Sequence, residues 1–387
     1  MSDVKRKDRG RVSSYLKKIL TCVQCAVRIR ASDSRCFRPT SVALRPKTNR
    51  VSLRDIARDL NVSAITVSKA LRNHKDISEA TRERVLQRMR EVNYEPNLAA
   101  RSLATGKSYM VGLVVPDLVH PFFGEIAKAI SRVLRPAGYS LVIASSEEES
   151  KLERAEVEAM LARPVDALLL ASALTSQRGG MFQKIADREV PLVMLDRVVS
   201  GVNAEFVGVD DEELGFIATR HLIERGCQRI AHIEGPEIST GVGRLRGYRR
   251  ALEQFKIKLR PELQIQIPSG DDRGVESGYH AMQKILAIKN TPDGVFCFND
   301  ECATGALRAT LDAGVRVPQD MALVGVGNMK NTDFLRVALT TIDQNSSEIG
   351  ERAARVALNL MERKGEALAP CSTLVPVRLI ERESTNR

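Results

Sequence analysis

The 387-residue sequence predicts an all-α head of three short helices followed by a large α/β body of two doubly wound parallel sheets. Three observations predict it. Residues 51–96 carry apolar stripes of helical period in three short segments, each opened by a serine. From Met110 onward, continuous apolar runs of strand length alternate with stretches of helical period. Before both, residues 1–50 show no sustained period and hold 14 Lys+Arg against 3 Asp+Glu, so the whole formal charge of +11 resides there and the rest of the chain is balanced. That basic start reads as a disordered, solvated extension or as an arm adding sequence-independent affinity for nucleic acid.

Ser52 precedes Leu53, Ile56, Ala57 and Leu60, an i, i+3, i+4, i+7 stripe with a cap in front. Asn61-Val62-Ser63 is the turn, and Ser63 caps a second helix whose inward face is Val67, Ala70 and Leu71. Ser78 caps a third, with Val85, Leu86, Met89 and Val92 on one side, and Pro96 ends the unit. The body's apolar runs are MVGLVVP (110–116), YSLVIAS (139–145), DALLLAS (166–172), PLVMLD (191–196), FVGVD (206–210), RIAHIEG (229–235), GVFCFND (294–300) and MALVGVG (321–327). Runs apolar throughout fit parallel strands buried on both faces by helices. A single sheet of them would be large, so two successive subdomains around a cleft are expected.

Composition excludes several classes. Hydrophobic content of 43% and charged content of 28% are ordinary, and no run of eighteen apolar residues exists to span a membrane. ILTCVQCAV (19–27) imitates a secretory leader but contains Gln24 and lacks a convincing cleavage site. Seven cysteines without regular spacing fit free thiols in a reducing cytosol. Cys22, Cys25 and Cys36 supply three zinc ligands with no fourth nearby. GVGRLRG (241–247) is one residue too long for the dinucleotide fingerprint, and ATGKS (104–108) lacks the first glycine of a phosphate loop, with Arg101 in its place. With no G-x-S-x-G, no H-E-x-x-H and five scattered histidines, no catalytic centre, cofactor or metal is expected.

The paired helices within DIARDLNVSAITVSKAL (55–71) are a helix-turn-helix candidate, in which the second helix lies in the major groove. Its exposed face carries Ala64, Ile65, Thr66, Ser68 and Lys69, and Arg54, Arg58, Arg72, Arg82 and Arg84 surround it. As pure pattern, a basic helical hairpin fits nearly as well. PNLAARSLATG (96–106) reads as an ordinary linker helix or as a hinge that orders on DNA with Leu103 wedged into the minor groove.

VSLRDIARDLNVSAITVSKALRN, SEATRERVLQRMREVNYEPNLAARSL and VGLVVPDLVHPFFGEIAKAI resemble the lactose-repressor/purine-repressor (LacI/GalR) family of bacterial transcription regulators. ERGCQRIAHIEGP, FNDECATGALRATLDAGVRVPQD, LTTIDQ and VRLIERES extend the resemblance to about residues 51–385. It implies a helix-turn-helix domain at 51–97, a hinge helix at 98–107 and a periplasmic-binding-protein-like effector domain at 108–387. The latter's N-subdomain would take about 108–208 and 344–373, its C-subdomain about 209–343 and 374–387. It implies a cytoplasmic, nucleoid-associated homodimer acting as a repressor, with a palindromic operator in double-stranded DNA and a small-molecule effector, a sugar or related metabolite, as partners. The alternative is a carrier-like module that binds small molecules without regulating DNA.

By the same resemblance, Ala64, Ile65 and Lys69 fall where the family reads bases, and Thr66 and Ser68 where it grips phosphates or packs at the backbone. Arg54 is expected to contact phosphate. Leu103 matches the intercalating leucine, and Ala99 and Ala100 the small residues of the hinge–hinge contact. Phe122 matches a ligand-stacking aromatic, and Asp196, Arg244, Phe296 and Asn299 match effector contacts. Bland readings stand beside these: Phe122 and Phe296 as core, Asp196 as a strand-end cap, Arg244 as a structural ion pair holding a glycine-flanked turn. Two positions depart from the family pattern. Gly327, followed by Asn328, replaces a ligand-gripping aspartate, and His120 stands where asparagine is common and is expected to face solvent.

Overall fold

The computed structural model describes residues 51–71, 74–94, 102, 105–177, 179–267, 274–363 and 369–387. The basic start with Cys22, Cys25 and Cys36, most of the hinge stretch with Ala99, Ala100 and Leu103, and Arg72 lie outside the described residues. The chain divides into two compact units, with the boundary in sequence between Pro96 and Asn97.

In the head, α1 spans Leu53–Asp59, α2 Ala64–Leu71 and α3 Glu79–Glu91. All three serines cap as their positions predict. The Ser52 hydroxyl accepts from Asp55 N–H while Asp55 reaches back to Ser52 N–H, a reciprocal capping box. Ser63 accepts from Thr66 N–H at 3.0 Å and Ser78 from Thr81 N–H at 3.3 Å. Asn61, at φ +53°, makes the turn between α1 and α2. Ile56, Ala57, Val67, Ala70, Val85 and Met89 close the core. Leu86 does not join them and is 39% exposed. One residue past Val85, it is rotated about 100° off the inward face that Val85 and Met89 share. Arg88 ties α3 to α1 through Asp59 at 2.6 Å.

The body holds two six-stranded sheets. The first is built from β1 Met110–Val115, β2 Ser140–Ser145, β3 Ala167–Leu170, β4 Leu192–Leu195, β5 Glu205–Gly208 and β11 Ser372–Leu374, in the order β11-β5-β4-β3-β1-β2, all parallel. Helices α4 Pro121–Leu134, α5 Ser150–Ala162, α6 Met181–Asp187 and α11 Ser346–Glu362 cover it. The second comprises β6 Ile230–Glu234, β7 Gln264–Gln266, β8 Gly294–Cys297, β9 Ala322–Val326, β10 Thr340–Asp343 and β12 Arg378–Ile380, in the order β12-β10-β9-β8-β6-β7. Helices α7 Asp211–Glu224 and α8 Ser239–Gln254 cover one face, α9 Gly274–Leu286 and α10 Asp300–Asp312 the other. This sheet departs from the parallel expectation at one edge, where β12 runs antiparallel to β10. The chain reaches β12 from β11 of the first sheet rather than by a helix crossover from β10, so nothing requires it to run parallel to β10.

The segment GVGRLRG is not a turn but the first half of α8. Its second and third glycines, Gly243 and Gly247, serve helix–helix contact. A Cβ on Gly247 would lie 2.0 Å from the Glu212 carbonyl oxygen, and one on Gly215 of α7 would lie 2.2 Å from the Arg244 carbonyl. Two backbones this close leave no room for a side chain on either helix, which explains the motif without a nucleotide.

Candidate nucleic-acid interface and ligand cleft

On the head, α2 presents Ile65 with 68% of its surface exposed while its neighbours Val67 and Ala70 are buried. A large apolar side chain so exposed on a short helix is available for contact with a partner surface. Ala64, Thr66, Ser68 and Lys69 are half-buried, and Arg54 on α1 is exposed. Thr66 shares its hydroxyl with Ser63 at 2.8 Å, so it braces the start of the helix. Lys69 Nζ lies 3.1 Å from Asp76, whose carboxyl is held below its usual range first by that hydrogen bond and then by His74.

The second constellation gathers where strands of both sheets end, the customary ligand position in open α/β folds. From the first sheet, Asp196 and Arg197 follow β4. Arg197 is 7% exposed and grips Glu148, past the end of β2, through both Nη atoms at 2.6 and 2.8 Å. Asp196 is 6% exposed, stands at φ +58°, and meets Arg197 Nε at 3.7 Å. Burial raises its carboxyl above the usual range, opposed by Arg197 and Arg244.

From the second sheet, Arg244 on α8 is 4% exposed. Its Nε donates to Asp211 at 2.9 Å, its Nη1 donates to the Phe298 carbonyl at 2.7 Å, and its guanidinium lies 4.6 Å over the Phe298 ring. Burial raises Asp211 despite the pull of Arg244. The ion-pair reading of Arg244 is therefore realised, and Nη2 is the nitrogen left over. Asn299 caps α10, accepting from Cys302 N–H at 2.8 Å. Ser239, opening α8, accepts from Val198 N–H at 2.9 Å and so joins the two sheet units directly.

Two expectations are corrected here. Phe296 does not reach the cleft: it is 0% exposed and stacks on His232 at 4.5 Å with rings 6° apart, beneath α7 and α8. The aromatic that flanks Arg244 is Phe298, two residues on, after β8 has ended. His120 does not face solvent. Its side chain is 17% exposed, its Nδ1 caps α4 by accepting from Phe122 N–H at 3.3 Å, and its Nε2 lies 4.0 Å from Glu301 of α10. Burial lowers its pKa. Phe122 sits in the core, edge-on to Phe123 at 5.1 Å, with 7% of its surface left.

Comparison with known proteins decides the assignment. Residues 52–97 match the description "Bacterial regulatory proteins, lacI family", and residues 219–385 match a periplasmic binding protein-like domain. The HTH-type transcriptional repressor PurR of Escherichia coli O139:H28 (strain E24377A / ETEC) is 35% identical over 336 residues, covering 86% of this chain and 96% of that protein. The chain belongs to the lacI family of bacterial regulatory proteins. Among solved structures, the lac repressor dimer bound to operator and the anti-inducer ONPF is 27% identical, covers 87% of this chain and 99% of that chain, and aligns with a TM-score of 0.75. The transcriptional regulator CelR–cellobiose complex is 30% identical, covers 87% of this chain and 100% of that chain, and aligns with a TM-score of 0.65. As a lacI-family member the chain is a DNA-binding transcriptional regulator and not an enzyme.

Within this lacI-family body, the sequence reading overlooked Arg197, Glu148, Asp211, Phe298 and Asp300. Asp300 is fully buried, accepts from Thr341 at 2.6 Å and Met329 N–H at 2.8 Å, and is pushed up to about 6 by burial. It lies 3.6 Å from where a Cβ on Gly327 would stand. Gly327 has φ +130°, which strains any side chain, so the departure from the family aspartate is built into the backbone. The available signal was adjacency: Asp196-Arg197 and Asn299-Asp300 each follow an apolar strand at its carboxyl end.

Proposed function

We propose that the chain is a repressor that binds palindromic operator DNA as a homodimer through α2 and responds to a small polar effector, a sugar or related metabolite, seated in the cleft. It acts, on this reading, in the bacterial cytoplasm at the nucleoid, where operator DNA is found. The domain division at 51–97, 98–107 and 108–387 follows from that reading, with the chain passing between subdomains near 209–210, 344–345 and 375–377. Ala64, Ile65 and Lys69 are assigned to bases, and Thr66, Ser68 and Arg54 to backbone and phosphates. Ala99, Ala100 and Leu103 are assigned to the hinge. Asp196, Arg244 and Asn299 are assigned to the effector, with Phe298 in place of Phe296, while Phe122 is assigned to the core on its burial.

The exposure of Ile65 beside the buried Val67 and Ala70 carries the DNA-reading half of the proposal. The helix is held by its inner face and offers its outer one. The similar structures support the rest: the lac repressor is a dimer bound to operator, and CelR is in complex with cellobiose. Effector and operator are then linked through two body states, with reciprocal coupling of order 1–3 kcal/mol. The test is selection of duplexes from a random library with the full chain, followed by a melting-temperature screen of sugars and nucleobases. An enriched two-fold-symmetric site and a stabilising compound that changes affinity for it are expected. Uniform binding to all duplexes would remove the regulatory reading.

A further inference from the structure

The start of the body is held by one carboxylate. Asp166, immediately before β3, accepts from Ser108 N–H at 2.9 Å through one oxygen and from Tyr109 N–H at 2.8 Å through the other. Its own N–H donates to the Met110 carbonyl at 2.8 Å. Tyr109 stands at φ +58°, a conformation a bulky residue adopts only when its surroundings impose it. The Tyr109 carbonyl accepts from Ser140 N–H at 2.9 Å, and the Tyr109 and Tyr139 rings lie 5.6 Å apart. Immediately upstream, Gly106 N–H donates to the Ser102 carbonyl at 2.8 Å, closing a helical turn. The segment joining the turn to β1 is thus gripped at two consecutive N–H groups by a charged acceptor, the stronger kind of hydrogen bond.

The same strand ends in the cleft. From Asp166, β3 runs through Ala167–Leu170, all fully buried, to Ser172. The Ser172 hydroxyl donates to Glu153 at 2.6 Å, and its carbonyl accepts from Arg197 at 3.4 Å. Six residue steps of strand, roughly 20 Å, separate the two ends. Both neighbours of β3, β1 and β4, are hydrogen-bonded to it, so it moves as a unit or not at all.

We propose that Asp166 is a positioning residue that fixes how the chain of residues 105–109 leaves the body, so that β3 joins the effector cleft at one end to the hinge exit at the other. This rests on the DNA-regulator reading above. Without the carboxylate the two N–H groups lose their charged acceptor, and in Asp166→Asn a single neutral oxygen remains to accept from them. Tyr109 can then leave its strained conformation, and the exit direction is no longer set by the state of the body.

The test uses the full chain and a fluorescent duplex enriched by the wild type from a random library. Asp166→Asn is expected to weaken binding to that duplex about tenfold, to leave affinity for an unrelated duplex unchanged, and to expose Lys107 to trypsin in the bound complex. Asp166→Glu, which keeps the charge, should recover part of the loss. Ile185→Val, in the core between α6 and the first sheet, is the control for lost stability alone and should bind as the wild type does. Wild-type affinity in Asp166→Asn overturns the proposal. So does a loss that Ile185→Val reproduces at an equal fall in melting temperature, because the role is then structural. If the wild type enriches no duplex, the DNA-regulator reading fails instead, which is a different outcome.

Discussion

Removing Arg244 should both destabilise the body and silence its response to effector, and the two effects are separable. Arg244 and Asp211 are 5% and 10% exposed at their side chains and 2.9 Å apart. Breaking a buried pair by deleting one partner leaves the other charge without compensation and costs about 3–5 kcal/mol. At roughly 2–4 °C per kcal/mol for a unit of this size, the melting temperature of Arg244→Ala should fall by about 10 °C. The loss depends on pH in a defined direction. Burial already raises Asp211, and deleting the cation raises it further. A carboxyl whose folded pKa exceeds its unfolded one binds more protons when folded, so stability falls as pH rises from the unfolded value through the folded one. The deficit of Arg244→Ala should therefore be larger at pH 8 than at pH 5.5. Asp211→Asn strands the guanidinium instead, and the double variant Arg244→Met/Asp211→Asn should be more stable than the sum of the two single losses. Scanning calorimetry at both pH values reads all of this. Strict additivity of the two substitutions, or a melting temperature within 1 °C of wild type at pH 8, would refute the pairing argument. Titration of effector into Arg244→Lys then isolates the binding role, since lysine keeps the charge but not the fork that can hold Asp211 and Phe298 while presenting a third nitrogen.

His232 is fully buried with Nδ1 on the Phe296 carbonyl at 2.9 Å, and burial pushes it down to about 4. The unfolded chain therefore takes up the proton first, stability is lost as pH falls from about 6.5 to 4, and His232→Phe should flatten that slope by roughly 3 kcal/mol in urea melts. Gly247→Ala should lower stability by about 1–3 kcal/mol by forcing α7 and α8 apart, measured by urea denaturation; an unchanged midpoint would show the two backbones are free to separate. Lys69→Ala and Ile65→Ala should each change the preferred bases in a binding-site selection, whereas Arg54→Ala should weaken all sequences alike. Asp76→Ala, which frees Lys69, should tighten binding to the selected site, and a weaker complex would mean that the pair positions Lys69 for its contact.

The head was legible because its information is local. Each helix, seven to thirteen residues long, is specified by a capping serine and an apolar stripe, and each serine caps where it stands. The eight apolar runs are likewise all strands. The four strands without such a run were missed for different reasons. Gln264–Gln266, Ser372–Leu374 and Arg378–Ile380 are three residues each at sheet edges, where one side needs no partner and composition is free. Thr340–Asp343 is internal, but its buried threonines are satisfied by side chains distant in sequence, Thr341 by Asp300 and Thr340 by Thr385.

The cleft was legible residue by residue but not as a constellation. Arg244 and Asp196 were visible, whereas their environment is made by Asp211, Glu148 and Phe298, each brought in by the tertiary fold. The exchange of Phe296 for Phe298 shows where sequence reasoning stops. In a half-exposed strand the alternation of polar and apolar residues says which way each ring points. In GVFCF there is no alternation, because helices cover both faces of the sheet. Nothing in the run distinguishes a ring held under α7 and α8 from one at the mouth of the cleft. What distinguishes them is that β8 ends at Cys297, and that boundary is set by pairing with β6 and β9, up to Ile233 on one side and Val324 on the other. Ligand-facing residues in this architecture lie just past the last paired residue, so locating them needs the register of the neighbouring strands as well as the composition of their own.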